Sequence, residues 1–142
     1  MLQDAETVRD ITRTAYAKWV PLIGREPLPM AADPVTAIRN HIVDILETGA
    51  GAVALIELVP EPDHLLIESV AVRPECQSQG YGGRLMAHAE EVAARRDLRR
   101  IRLYTNSVFS ENIAYYRHLG FAETHRSVMV PGSETVHMAK DL

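Results

Sequence analysis

The chain has 142 residues, a formal net charge of −4 and 46% hydrophobic residues: enough apolar material for the core of one domain, and too little positive charge for an extended nucleic-acid face. Its single cysteine, Cys76, rules out an internal disulfide, and no Cys/His spacing marks a metal site. No run approaches the roughly 18 apolar residues of a membrane span, and the opening MLQDAETVRD carries acids where a secretion signal has basic then apolar residues. The expectation is one cytoplasmic domain over residues 1–142, with no metal, membrane or nucleic acid.

Taken in chain order, Val8, Ile11, Ala15 and Trp19 mark one side of a helix that stops before Pro21. Four prolines (Pro21, Pro27, Pro29, Pro34) and Gly24 make the next stretch a constrained loop. Asp33-Pro34 reads as N-cap and first position of a second short helix, to about His41. Ile42–Leu46 and Ala52–Val59 form a hairpin around Thr48-Gly49-Ala50-Gly51, and a turn at Pro60–Asp63 returns the chain into a strand from His64 to Val72. Beyond Gly83, Leu85, Met86, Ala89, Val92 and Ala93 recur at helical spacing. The cluster Arg95, Arg96, Arg99, Arg100 and Arg102 reads as a solvated helix end complementing the helix dipole; the alternative is a polyphosphate-binding patch. Ile101–Tyr104 is a strand, and a helix follows with Ser110 as N-cap and Gly120 at C′. Glu123–Val130 and Thr135–Lys140 close the chain as a hairpin.

The chemistry concentrates between the third strand and the helix after it, at Gln77-Ser78-Gln79-Gly80-Tyr81-Gly82-Gly83. Glycines here free the backbone where the chain must bend and let a ligand approach N–H groups at a helix start, which suits a phosphate or pyrophosphate. A packing turn is the bland alternative. A Walker loop needs Gly-Lys-Ser/Thr where Gly83-Arg84-Leu85 stands, and G-x-G-x-x-G needs a glycine where Leu85 stands, so neither nucleotide fingerprint fits.

What fits is Q/R-x-x-G-x-G/A after a strand ending Val70-Ala71-Val72, and in these residues the chain resembles the GNAT superfamily of N-acetyltransferases. A second segment agrees: Tyr116-Arg117-His118-Leu119-Gly120-Phe121 looks like the superfamily's Y-x-x-L-G-F signature. The resemblance covers roughly residues 1–140 and implies an α/β fold, a central mixed sheet flanked by helices with splayed strands holding acetyl-CoA. It implies backbone contacts from Val70 and Val72 to the pantetheine, an oxyanion donor at the amide of Ala71 or Val72, and a pyrophosphate held by amides of Gln77, Gln79, Gly80, Gly82 and Gly83, with Tyr81 in the same turn. Arg84 either meets a phosphate or coats the helix. Many members carry an Asn seven residues before the Tyr; that position is Phe109 here, and Asn112, one turn from Tyr116, is the substitute candidate. Many also begin with an extra edge strand, here absent or reduced to Met1–Gln3, which leaves a homodimer open as a way to complete the edge.

Acyl transfer to an amine needs an uncharged nucleophile, a polarised thioester carbonyl and a proton for the departing sulfur. Tyr116 matches the superfamily's acid, with the adjacent Tyr115 as its rival. Glu68, two residues before Val70 and four before Val72, is expected on their face of the strand and is the candidate base; the alternative is a Glu paired with Arg73 or solvated. His41, His118, His125 and His137 are not singled out by spacing. The acceptor pocket is expected between the Pro21–Pro34 loop and the hairpin near Met129–Val136, with Tyr16, Trp19 and Met30 either lining it or in the core, and Glu26 and Asp33 as cation-attracting candidates. The function so implied is acetylation of a small-molecule or peptide amine by direct attack; Cys76 lies too far from the thioester for an acetyl-cysteine route. A catalytically silent acyl-CoA-binding sensor is the alternative.

Overall fold

A computed structural model describes residues 5–17, 34–35, 40–49, 51–77 and 79–142. Its elements are α1 (Ala5–Tyr16), β1 (Ile42–Thr48), β2 (Gly51–Pro60), β3 (Leu65–Val72), a 3-10 turn (Pro74–Cys76), α2 (Tyr81–Arg95), β4 (Arg100–Asn106), α3 (Ser110–His118), β5 (Ala122–Val130) and β6 (Ser133–Asp141). The six strands form one sheet in the order β1-β2-β3-β4-β6-β5. Among the described strands only β3 and β4 pair in parallel, and α2 makes the crossover that a parallel pair requires.

The sheet is covered on both faces because its central strands are apolar on both. In β2, Val53, Ala54, Leu55 and Ile56 are all buried. Val53, Ala54, Ile56 and Leu58 join Leu85, Met86, Ala89, Val92 and Ala93 of α2 in the larger core. Leu55 and Ala71 face the other way, onto Val8, Ile11 and Ala15 of α1. In α1 the buried Val8, Ile11, Thr12 and Ala15 recur every three or four residues, while Arg9, Asp10 and Arg13 stay exposed. Each large aliphatic side chain so buried contributes roughly 1.5–3 kcal/mol.

One irregularity in β3 decides where the chemistry points. Glu57 of β2 pairs with Ser69, but the next residue, Leu58, pairs with Ile67, so Glu68 is an extra residue in a β-bulge. Before the bulge Leu65 and Ile67 face α2; after it Val70 and Val72 do, and Ala71 faces α1. One inserted residue inverts the alternation, so the expected sharing of a face by Glu68, Val70 and Val72 does not hold.

Other expectations differ in detail. Ser110 is the first residue of α3, and the N-cap is Phe109. The reason is a turn closed by Phe109 N–H to Asn106 C=O (3.0 Å) and Val108 N–H to Asn106 Oδ1 (3.1 Å), with Phe109 itself buried. Gly120 does follow the C-cap Leu119 with φ +100°, the left-handed conformation that favours glycine. Of the second helix only Pro34, Val35 and Asn40 are described as helical, and Met1–Gln3, the place expected for any remnant of the extra edge strand, lie outside the described residues with Trp19, Glu26, Met30 and Asp33. The described edges of the sheet are β1 and β5.

Candidate active site

The pairing of β3 with β4 ends after three residue pairs, at Ile67 and Leu103, while β3 runs on to Val72. The strands part there, and a cleft of about 390 Å³ opens beside the end of β3. Val70, Ala71 and Val72 of β3, Gln77, Gly80, Tyr81, Gly82 and Gly83 of the turn, and Asn112 and Tyr116 of α3 all line it. The topology therefore gathers most of the sequence-predicted site in one place. Glu68, Gln79 and Arg84 stand outside the lining, whereas Ala15, Tyr16, Cys76 and Tyr115 join it.

At the turn, Gly80 is the N-cap of α2 with φ +83°, a conformation most side chains disfavour. The first helical hydrogen bond runs from Arg84 N–H to Gly80 C=O (3.1 Å), so the amides of Tyr81, Gly82 and Gly83 precede the helical ladder. A Cβ on Gly83 would meet open space, and one on Gly82 would approach only Tyr115 Oη at 3.6 Å. Three amides at the positive end of a 15-residue helix, two of them on glycines, fit a diphosphate. Gln77 does not belong to that set. Its N–H is given to Pro74 C=O (3.3 Å) because the 3-10 turn consumes it, and its side-chain amide donates to Val72 C=O (3.3 Å). Gln79 is exposed with its side chain on Glu75 C=O (3.5 Å), and Arg84 is exposed on α2.

The two candidate acids separate by depth. Tyr115 is 40% exposed and reaches the glycine turn, while Tyr116 packs into the larger core with its ring edge-on to Phe121 at 5.9 Å. Burial pushes the Tyr116 phenol well above the usual tyrosine range, with Tyr16 and Tyr115 adding to the shift. Asn112 lines the cleft one turn earlier, while Phe109, at the position of the superfamily's Asn, is 5% exposed and serves packing.

Glu68 does not pair with Arg73. Arg73 is held by Asp10 and by Ala52 C=O, and Glu68 Oε1 accepts a hydrogen bond from the Tyr104 hydroxyl at 2.6 Å. Tyr104 alternates with Ile101 and Leu103, which face α2, so the pair sits on the α1 side of the sheet. Burial, then the hydrogen bond and charge of Glu68, and then Glu57 and Tyr16, raise Tyr104 above its ordinary range. Tyr16, at the end of α1, donates its hydroxyl to Val70 C=O at 2.9 Å, and its phenol too is raised, chiefly by burial. Among the histidines, His137 stacks on His125 at 4.1 Å, lies 2.7 Å from Ser127 Oγ and 6.0 Å from the Tyr104 ring, and burial lowers its pKa. His41 pairs with Glu57, and His118 is exposed.

Among the described residues no group of three or more His, Cys, Asp or Glu is arranged for a metal ion, and no helix is long and apolar enough to cross a membrane. Of the arginine cluster, Arg95, Arg96 and Arg99 are exposed and Arg100 pairs with Asp141 at 2.7 Å.

A splayed parallel pair, a glycine-opened helix start beneath it and a tyrosine-bearing helix across from it define an acyl-CoA-type cleft. The model of the acetyltransferase (GNAT) family matches residues 8–121, and the chain belongs to that family. A curated relative, N-alpha-acetyltransferase 80 of Mus musculus, is 29% identical over 107 residues, which are 75% of this chain and 28% of the relative; the chain thus spans well under a third of that protein's length. Among solved structures, the PaiA N-acetyltransferase of Thermoplasma acidophilum in complex with coenzyme A superposes with a TM-score of 0.82 at 17% identity, covering 99% of this chain and 94% of that one. The alanine N-acetyltransferase of a ribosomal protein from Escherichia coli gives 0.79 at 20% identity, covering 99% and 89%.

Proposed function

We propose that the protein is an N-acetyltransferase that moves the acetyl group of acetyl-CoA to an amine of a small molecule or peptide within a ternary complex. The observation that carries this reading is the convergence on one cleft of the N-terminal amides of α2, the end of β3 that β4 leaves unpaired, and the half-buried Tyr116. In it, the amides of Tyr81, Gly82 and Gly83 hold the diphosphate, and backbone groups of Val70 and Val72 align the pantetheine. The amide of Ala71 or Val72 faces the thioester oxygen. Acetyl-CoA supplies the acetyl group already activated as a thioester. The amine nitrogen forms the new C–N bond as the C–S bond breaks; the acceptor ammonium gives up two protons in all, one of which ends on the sulfur.

Glu68, kept in place by Tyr104, takes a proton from the acceptor through the intervening polar groups or water. Tyr116 hydrogen-bonds the departing sulfur. With its pKa above the ordinary value near 10, it is a weaker acid than a thiol near 8.5, so it steadies the thiolate by donating a hydrogen bond more than by surrendering its proton outright. Steady-state thiol release with a panel of amines tests the assignment. Tyr116→Phe should lower kcat by about 10²-fold, the scale of one positioned acid or oxyanion donor, with acetyl-CoA affinity nearly unchanged. Unaltered turnover would remove Tyr116 from the mechanism. The sensor reading predicts tight acetyl-CoA binding and no thiol release with any amine.

A further inference from the structure

The two neighbouring phenols of α3 turn different ways. Consecutive helical residues point about 100° apart. Tyr116 packs against the larger core with its ring edge-on to Phe121, whereas Tyr115 reaches the start of α2, its hydroxyl 3.6 Å from where a Cβ on Gly82 would stand. Tyr115 lines the cleft, is 40% exposed and has no hydrogen-bond partner for its hydroxyl among the described residues. An O–H with its hydrogen still to give therefore stands beside the turn whose amides open α2.

That place matters because of what the turn lacks. A diphosphate presents more oxygen acceptors than the amides of Tyr81, Gly82 and Gly83 can fill, and no Lys or Arg is among the residues lining the cleft. The side-chain amides of Gln77 and Gln79 are bonded to the Val72 and Glu75 carbonyls, and Arg84 stands outside the lining. The cradle is thus built of neutral donors, and it is open on the side that α3 faces. We propose that Tyr115 is a cofactor-binding residue whose hydroxyl donates a hydrogen bond to the diphosphate of coenzyme A, closing from α3 the cradle that the α2 amides begin. This rests on the cofactor reading of the cleft, and it leaves the departing sulfur to Tyr116. Partial burial raises the Tyr115 phenol above its ordinary range, so the donor keeps its hydrogen at neutral pH.

The test is calorimetry of wild type and Tyr115→Phe with coenzyme A, together with displacement of bound coenzyme A by two of its fragments. Pantetheine lacks the diphosphate; inorganic pyrophosphate lacks everything else. Loss of one partly exposed hydrogen bond to a charged acceptor should weaken coenzyme A by about 3-fold to 30-fold and pyrophosphate by a similar factor, while pantetheine changes less than about twofold. Unchanged coenzyme A affinity in the variant overturns the proposal, and if turnover falls at the same time the hydroxyl belongs to the sulfur instead. Equal weakening of coenzyme A and pantetheine also overturns it, because a tyrosine that only shapes the cleft gives that result. Wild type that binds no coenzyme A overturns the cofactor reading itself. A crystal structure of wild type with coenzyme A decides without any variant: Tyr115 Oη is expected within about 3.2 Å of a diphosphate oxygen, and a hydroxyl bonded elsewhere overturns the assignment.

Discussion

Tyr116 and Glu68 sit in different surroundings, and those surroundings bear on the roles proposed for them. Burial drives the Tyr116 phenol above its ordinary range, so it stays protonated through neutral and mildly alkaline pH. Activity should then rise with pH as the acceptor ammonium loses its proton, and no falling limb from Tyr116 should enter until pH exceeds about 10, the unperturbed tyrosine value. A pH–rate profile taken to that limit checks the sign: a descending limb centred below pH 9 that disappears in Tyr116→Phe would contradict it. The same upward shift makes the folded state lose stability as pH climbs past that range, because the unfolded chain releases the phenolic proton first. The place of Tyr116 at the cleft was legible in the sequence, since Y-x-x-L-G-F is local. The bond from Tyr16 to Val70, 54 positions apart, and that from Tyr104 to Glu68, 36 apart, were not, because only the folded sheet brings those residues together.

Among the elements, periodicity and turn chemistry place nearly every described strand and helix within a few residues of where they lie. Leu85, Met86, Ala89, Val92 and Ala93 give away α2, and the glycines before it give away the turn. The bulge at Glu68 left no such trace: an extra residue in β3 changes which face each side chain takes without altering composition, and only the register with β2 reveals it. Phe109 as N-cap escaped for a similar reason, its place being fixed by the turn at Asn106 and by burial rather than by a capping side chain. The start of α2 carries the sharpest prediction at this scale. A Cβ at Gly82 meets nothing closer than Tyr115 Oη at 3.6 Å, and its φ is not in the left-handed region, so the first side-chain carbon of Gly82→Val is accommodated without backbone strain. Valine is also a better helix former than glycine, so thermal melting should be unchanged or slightly raised. Its side chain fills the space a diphosphate needs, so acetyl-CoA affinity should fall by about 10-fold or more, on the order of 1.4 kcal/mol. Equal affinity in the valine variant would move the cofactor away from this helix.

Among the described residues, two cores on opposite faces hold one sheet whose only parallel pair separates after three residue pairs. That separation makes the cleft, and four parts of the chain line it: the end of α1, the end of β3, the turn into α2, and α3. The membership of the family and the two structural likenesses, each extending over nearly the entire chain, agree with this architecture. The account stands on the cleft being built for coenzyme A. Isothermal titration of the purified protein with acetyl-CoA and with free coenzyme A is the direct measurement. One site per chain for both ligands, with affinity that falls as competing inorganic pyrophosphate is added, is the predicted result; no heat of binding for either ligand would contradict it.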